Sequence, residues 1–535
     1  MKTMINSIIL ASCLALPLAS CSDSDAAPEQ KDWSTTTYFN SSDAAAQDTY
    51  YKPAVGYVGD PMPFFDPVAG DFKVLYLQDF RPNPEGTYHP IWGVSTKDAA
   101  HYTALGELVS CGTLKSQDAA IGTGSTIYDE ASKLYYTFYT GNKYKPTGDE
   151  SAQAVMVATS PDFKTWTKDR TFLLKGQDFG YDKNDFRDPF VFKGDDGKFH
   201  MLISTKKGGK GSLAEFVSDD LKNWTDNGVF MTMMWDRFYE CPDLFKMGDY
   251  WYLVYSEIHH AVRRVQYFKG RTLDELKACT ANDVARWPDA HEGFLDSRGL
   301  YAGKTASDGT NRYLWGWCPT RSGKDNTAVG ASPAEPEWAG NLVCYKLIQH
   351  EDGTLTLGQV DAVSEKYNQD VAVEVKESQN MTEADGTYTL AGNTKQPDAY
   401  MLMGRLGNHN KISFTVTTTD KWDKFGISMV RGSDSKKYYT MVVNPEDENN
   451  RKVNFEEQGV EGKGFIAGID GYVFARPADN VYNVTIYTDN SICVMYINDV
   501  CSYTNRIYGI QKNCWSINSY NGANVKISNL KISQY

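Results

Sequence analysis

The sequence predicts an all-β protein, a five-bladed β-propeller followed by a C-terminal antiparallel β-sandwich. Three observations predict it. A strand-pair unit recurs five times in the first two thirds of the chain. A polar turn motif repeats in phase with that unit. Beyond about residue 370 short alternating strands take over, separated by turn residues.

The units begin near residues 60, 125, 188, 240 and 296. The first reads Gly59-Asp60-Pro61-Met62-Pro63-Phe64-Phe65 and continues into residues 72–77. The third reads Arg187-Asp188-Pro189-Phe190, followed by residues 198–203. The fourth reads Tyr239-Glu240-Cys241-Pro242-Asp243-Leu244-Phe245, followed by residues 250–255. The second places Gly124-Ser125-Thr126 before residues 133–139, and the fifth places residues 296–301 before residues 312–317. Aromatic and β-branched residues fill these strands, and a repeat of roughly 50–65 residues built from them marks a radial array of blades.

The turn motif follows a later strand of the first three units. It reads Ser160-Pro161-Asp162-Phe163-Lys164-Thr165-Trp166 and Ser218-Asp219-Asp220-Leu221-Lys222-Asn223-Trp224, with Ser95-Thr96-Lys97-Asp98 as the first copy. Ser and Asp fold back onto nearby backbone N–H groups, and the aromatic residue anchors the turn. Residues 338–347 read as the segment that closes the ring, and residues 273–286 as a helix capping a blade connection. The later strands fall near residues 411–416, 438–443, 482–487, 492–497 and 525–532. The expected domains are therefore a propeller over residues 49–365 and a sandwich over residues 370–535. A chain of 535 residues is too long for one core of ordinary size, which agrees with two.

Ahead of the propeller, residues 1–21 read as an export signal: Lys2 supplies the charge and residues 8–18 the apolar stretch. It ends Leu18-Ala19-Ser20-Cys21, which resembles a bacterial lipobox and makes Cys21 the lipidated N-terminus. Acidic residues directly after it, Asp23 and Asp25, are similar to the surface-export signal of Bacteroidetes lipoproteins. Residues 22–48 read as a polar tether. The expectation is an exported protein, lipid-anchored to the outer membrane on its periplasmic or surface face. The net charge of −14 argues against a nucleic-acid partner, because phosphate binding needs a basic surface. The eight cysteines beyond the signal show no metal-ligand spacing and read as thiols; Cys493 and Cys501 are left open as a hairpin pair. His259 and His260 are adjacent, so on a strand they face opposite ways and make no metal pair.

With the first strand of each blade lining a channel, Asp60, Asp188 and Glu240 converge at one end of it. Converging carboxylates in a cleft are the equipment for cleaving a glycosidic bond. An isolated Asp-Pro is usually a turn or strand start; three acids in phase with a repeat are not explained that way. Trp315 and Trp317 read as core, and Asp185 and Asp243 as structural or rim residues.

At this point the chain resembles glycoside hydrolase family 32, the β-fructofuranosidase family of invertases, levanases and inulinases. Phe186-Arg187-Asp188-Pro189 is similar to its Arg-Asp-Pro motif, and Glu240-Cys241-Pro242-Asp243-Leu244-Phe245 to its Glu-Cys-Pro-Asp-Leu-Phe motif. Ile91-Trp92-Gly93, Tyr139-Thr140-Gly141-Asn142 and Leu314-Trp315-Gly316-Trp317 add to the likeness, which covers most of the propeller. The family's Trp-Met-Asn-Asp-Pro-Asn-Gly departs to Tyr57-Val58-Gly59-Asp60-Pro61-Met62-Pro63, and its Phe-Ser-Gly-Ser to Gly122-Thr123-Gly124-Ser125.

The resemblance implies a retaining double displacement without metal or organic cofactor. Asp60 is then the nucleophile and Glu240 the acid–base. Asp188 stabilises the transition state, and Arg187 fixes the Asp188 carboxylate or binds a hydroxyl. Gln78, Trp92 and Ser125 are implied as further sugar contacts. The implied substrate is a fructan or fructo-oligosaccharide, cut at a terminal fructosyl unit. Loss of side chains at Gly59 and Gly122 is expected to widen the funnel. Two alternatives stay open: an inverting arabinofuranosidase or xylosidase of family 43, and a non-catalytic surface glycan-binding lipoprotein.

Overall fold

The computed structural model describes residues 49–535 apart from 81–87, 233–237, 258–263, 287–292, 321–337, 432–437, 446–452, 459–473 and 475. The lipobox with Cys21, the tether and the His259-His260 pair lie outside the described residues.

Antiparallel strands form five blades and then a two-sheet sandwich. Blade I holds Tyr57–Asp66, Asp71–Asp79, Ile91–Thr96 and Thr103–Val109. Blade II holds Ala120–Asp129, Leu134–Asn142, Gln153–Ser160 and Thr167–Lys168, and blade III holds Phe186–Lys193, Phe199–Lys207, Lys210–Ser218 and Thr225–Thr232. Blade IV has three described strands, Glu240–Met247, Tyr250–Glu257 and Arg264–Gly270. The helix Leu273–Arg286 packs beside the last of them and buries Leu276 against Tyr239, Phe230 and Phe268. Blade V holds Tyr301–Ser307, Arg312–Pro319, Gly340–Gln349 and Leu355–Gly358, and Val58 pairs with Gly340 to join blade V to blade I. The fifth unit therefore starts later than its expected Asp296. Its first strand runs over Tyr301–Ser307, and Asp296 is buried elsewhere.

The repeated turn holds in all three copies. Asp98, Asp162 and Asp220 each accept two backbone N–H groups through one carboxyl oxygen. The next residue in each copy, Ala99, Phe163 or Leu221, is left-handed and buried. In the first copy Thr96, two residues before the aspartate, stands where Ser160 and Ser218 stand in the others.

The sandwich consists of a sheet built around Asn524–Gln534, His409–Thr418 and Val481–Asp489 and a second built around Cys514–Tyr520 and Lys424–Met429. Strict alternation along His409–Thr418 buries Ile412, Phe414 and Val416 on one face, as a half-buried strand requires. Tyr487, Ile492, Val494 and Tyr496 share a core with Val74, Leu314 and Tyr345 of the propeller. Hydrogen bonds weld the same contact. Asp296, fully buried, accepts Thr504 N at 2.8 Å, Thr504 Oγ1 at 2.7 Å and Ser502 Oγ at 2.9 Å. Arg506 donates to the carbonyls of Cys318 and Pro319 at 2.9 and 3.0 Å. All eight described cysteines are free, Cys493 and Cys501 included.

Candidate active site

Each blade's first strand carries a β-bulge at the same level. The register breaks between Gly59 and Met62, between Gly122 and Gly124, at Asp188-Pro189, between Glu240 and Asp243 and between Tyr301 and Lys304. A bulge inserts a residue, bends the strand and re-aims the side chains beside it. In four blades the bulged residue has positive φ: Asp60 (29°), Asp188 (59°), Cys241 (51°) and Ala302 (52°). The residues that follow are Pro61, Gly124, Pro189, Pro242 and Gly303 around the ring. Proline has no N–H to withhold from the ladder, and a Cβ on Gly124 would overlap the Phe138 carbonyl. Non-glycine residues at positive φ cost about 1–3 kcal/mol each, and two of the three acids sit at such positions.

The bulges bring Asp60, Asp188 and Glu240 to one place. Asp60 Oδ2 accepts the Thr123 hydroxyl at 2.7 Å and Oδ1 accepts the Trp317 indole N–H at 2.9 Å. Burial holds the Asp60 carboxyl above its ordinary range; these two donors and His89 offset part of the rise, and Glu240 adds to it. Asp188 Oδ2 accepts the Cys241 backbone N–H at 2.9 Å, and Asp188 N donates to Thr140 Oγ1 at 2.8 Å. Burial pushes Asp188 up to about 6 against the opposing pull of Arg187, with Glu240 and Asp60 adding to the rise. Glu240 Oε1 accepts Arg187 at 2.9 Å and Oε2 accepts the Tyr301 hydroxyl at 2.5 Å. Thr140 Oγ1 in turn donates to the Thr123 carbonyl at 2.9 Å, so one short chain of bonds connects Asp188 to the donor on Asp60.

Several residues take places other than those expected. Arg187 holds Glu240 and Asp185 rather than Asp188, with its guanidinium 3.9 Å from the Phe238 ring centroid. Ser125 is buried, and its hydroxyl bridges blades II and III by donating to Pro189 O and accepting Val191 N. Gln78 is fully buried, with its amide nitrogen on the Val55 carbonyl. Trp92 is half-buried and packs edge-on against Phe80. Ser125 and Gln78 are thus enclosed by contacts within the protein, whereas Trp92 keeps part of its ring exposed.

The space over Gly59 is filled, not open. A Cβ there would overlap the Trp338 indole, which stacks on His89 with centroids 4.2 Å apart and meets Trp317 edge-on at 6.2 Å. Thr123, Tyr301, Trp317 and Trp338 are the site residues that sequence reasoning missed. The signals were present in Leu314-Trp315-Gly316-Trp317 and in the segment closing the ring. Below the acids, Lys304 is buried and donates to the Gly124 carbonyl at 2.9 Å, tying blade V to blade II. Among the described residues no cluster of His, Cys, Asp and Glu is arranged to hold a metal ion.

Comparison with known proteins places the chain in a family. Residues 353–532 fit the model for a GH32, BT1760-like, C-terminal domain. A β-fructofuranosidase of Arabidopsis thaliana, insoluble isoenzyme CWINV2, is 26% identical over 320 residues, which is 54% of this chain and 51% of that protein. A fructan 6-exohydrolase of Beta vulgaris is 23% identical over 287 residues, covering 50% and 46%. The chain thus spans about half the length of these curated relatives. Among solved structures, exo-inulinase from Aspergillus awamori superposes with a TM-score of 0.65 at 16% identity, over 91% of this chain and 97% of that one. The Bombyx mori β-fructofuranosidase BmSUC1 superposes at 0.63 and 16%, over 91% and 93%. Residues 50–359, more than half of the chain, fit the model for the glycosyl hydrolases family 32 N-terminal domain, and the chain belongs to glycosyl hydrolase family 32.

Proposed function

We propose that this chain removes terminal β-fructofuranosyl units from fructans or fructo-oligosaccharides with retention of configuration. The observation that carries the reading is the pairing of a doubly hydrogen-bonded Asp60 with a Glu240 held by Arg187 and Tyr301. Donors on both oxygens of Asp60 oppose the rise that burial causes and so favour the ionised form a nucleophile needs. Asp60 attacks the anomeric carbon as the bond to the leaving oxygen breaks, and Glu240 gives that oxygen its proton. Water then attacks the fructosyl-enzyme, Glu240 takes its proton, and Asp60 is released. Asp188 accepts sugar hydroxyls as positive charge develops on the ring. Arg187 orients Glu240. Trp338, stacked on His89, walls the site beside Gly59.

The substrate class is supported by relatives that include a fructan 6-exohydrolase and by the fold shared with an exo-inulinase. Incubation with levan, inulin, sucrose and an aryl arabinofuranoside tests it. Fructose alone at the earliest times, released first as the β-anomer, supports the reading. A ladder of oligosaccharides replaces exo with endo action, and arabinose without fructose overturns it.

The chain organisation belongs to the same proposal: a signal over 1–21, lipidation at Cys21, a tether over 22–48, a catalytic propeller over 49–365 and a sandwich over 370–535. Leu18-Ala19-Ser20-Cys21 supports the anchor. Two acyl chains suffice for stable membrane attachment where one does not.

A further inference from the structure

The sandwich reaches the back of the nucleophile's hydrogen-bond donor. Arg506 lies on the sandwich strand Cys501–Arg506 and is 1% exposed. Its guanidinium makes four described bonds. Nε donates to Pro319 O at 3.0 Å, one terminal nitrogen donates to Cys318 O at 2.9 Å and Asn341 Oδ1 at 2.6 Å, and the other donates to Ser491 Oγ at 2.9 Å. Cys318 follows Trp317, whose indole N–H binds Asp60. Asn341 pairs with Cys318 across the blade, and its neighbour Gly340 pairs with both Pro319 and Val58. Val58 lies two residues before Asp60. One planar fork therefore clamps the two strand ends of blade V that flank Asp60, reaching the Cys318 and Pro319 carbonyls on one and the Asn341 side chain on the other.

We propose that Arg506 is a positioning residue for the reaction, so that the sandwich completes the catalytic site by fixing Trp317 against Asp60. A guanidinium suits this task because its rigid fork meets several acceptors at once. A brace alone would need only the apolar contact and the Asp296 weld that already join the two parts. The proposal rests on the fructoside-hydrolase reading above.

The test is a double-mutant cycle on the full chain, with Arg506→Met, Trp317→Phe and the pair, assayed for kcat and KM on a fructo-oligosaccharide across pH. Trp317→Phe removes a hydrogen bond to a charged group, which is expected to lower kcat about 10–100-fold. Arg506→Met should reproduce most of that loss with KM little changed and move the acid limb of the profile upward. The double variant should be no worse than the poorer single one, because both act through one bond. Should the Met variant fail to fold, Arg506→Lys keeps the charge but cannot reach both carbonyls, and it reads the same cycle. Losses that multiply, or an Arg506 variant with full kcat and only a lower Tm, overturn the proposal. Wild-type protein inactive on every fructoside instead overturns the reading beneath it.

Discussion

Trp338 occupies the space that a side chain on Gly59 would need: a Cβ at residue 59 would overlap its indole. The asparagine expected there from the family pattern has been exchanged for an aromatic ring delivered from blade V. The funnel is therefore not widened beside Asp60. Gly59→Ala is expected to destabilise by about 1–3 kcal/mol through overpacking. Trp338→Ala should remove that penalty, so thermal melts of the two single variants and the pair will be non-additive. Additive losses would show that residue 59 and the indole do not compete for space.

Asp60→Asn and Glu240→Gln should each lower turnover by about 10²–10⁴-fold or more while circular dichroism stays native. An activated aryl fructoside should recover much of the loss in Glu240→Gln and little in Asp60→Asn, because only the first variant lacks the leaving-group proton. Near-normal hydrolysis by Asp60→Asn would end the assignment.

Trp317→Phe should also shift the pH profile. The indole N–H pulls the Asp60 carboxyl down. Without it Asp60 holds its proton to higher pH, so the acid limb of kcat/KM moves upward. An acid limb that stays in place while kcat falls would assign Trp317 a packing role.

Asp188 links the site to stability. Its carboxyl is pushed up to about 6, mainly by burial, from an ordinary value of 3.8. A raised folded value means that the folded state binds more protons between these limits. The contribution is full below about 4 and lost as pH rises through about 6. The ionised form then costs about 3 kcal/mol at neutral pH. Asp188→Asn keeps an acceptor for Cys241 N, so it should raise Tm at pH 7, leave Tm nearly unchanged at pH 4 and abolish most activity. A drop in Tm at pH 7 would count against this account.

The anchor is tested at residue 21. Cys21→Ala should release the protein from the membrane fraction or leave its signal uncleaved. Unchanged membrane retention would contradict lipidation.

What the sequence determined by itself was the periodic part. Blade number, the turn built on Asp98, Asp162 and Asp220, the helix Leu273–Arg286 and the phase of Asp60, Asp188 and Glu240 all follow from local residue types repeated at a spacing. Such features rest on hydrogen bonds and alternation within a few residues, so one strand of text carries them. Tertiary structure decided which side chains meet the acids. Trp317 reaches Asp60 from 257 residues away and Tyr301 reaches Glu240 from 61. Ser125 and Gln78 are buried in contacts within the protein, which strand alternation alone does not foretell, because it gives a face but not a depth along the channel. The five bulges complete the reason. Each inserts a residue that reverses the inward and outward order beyond it, and its position depends on how neighbouring blades crowd the axis.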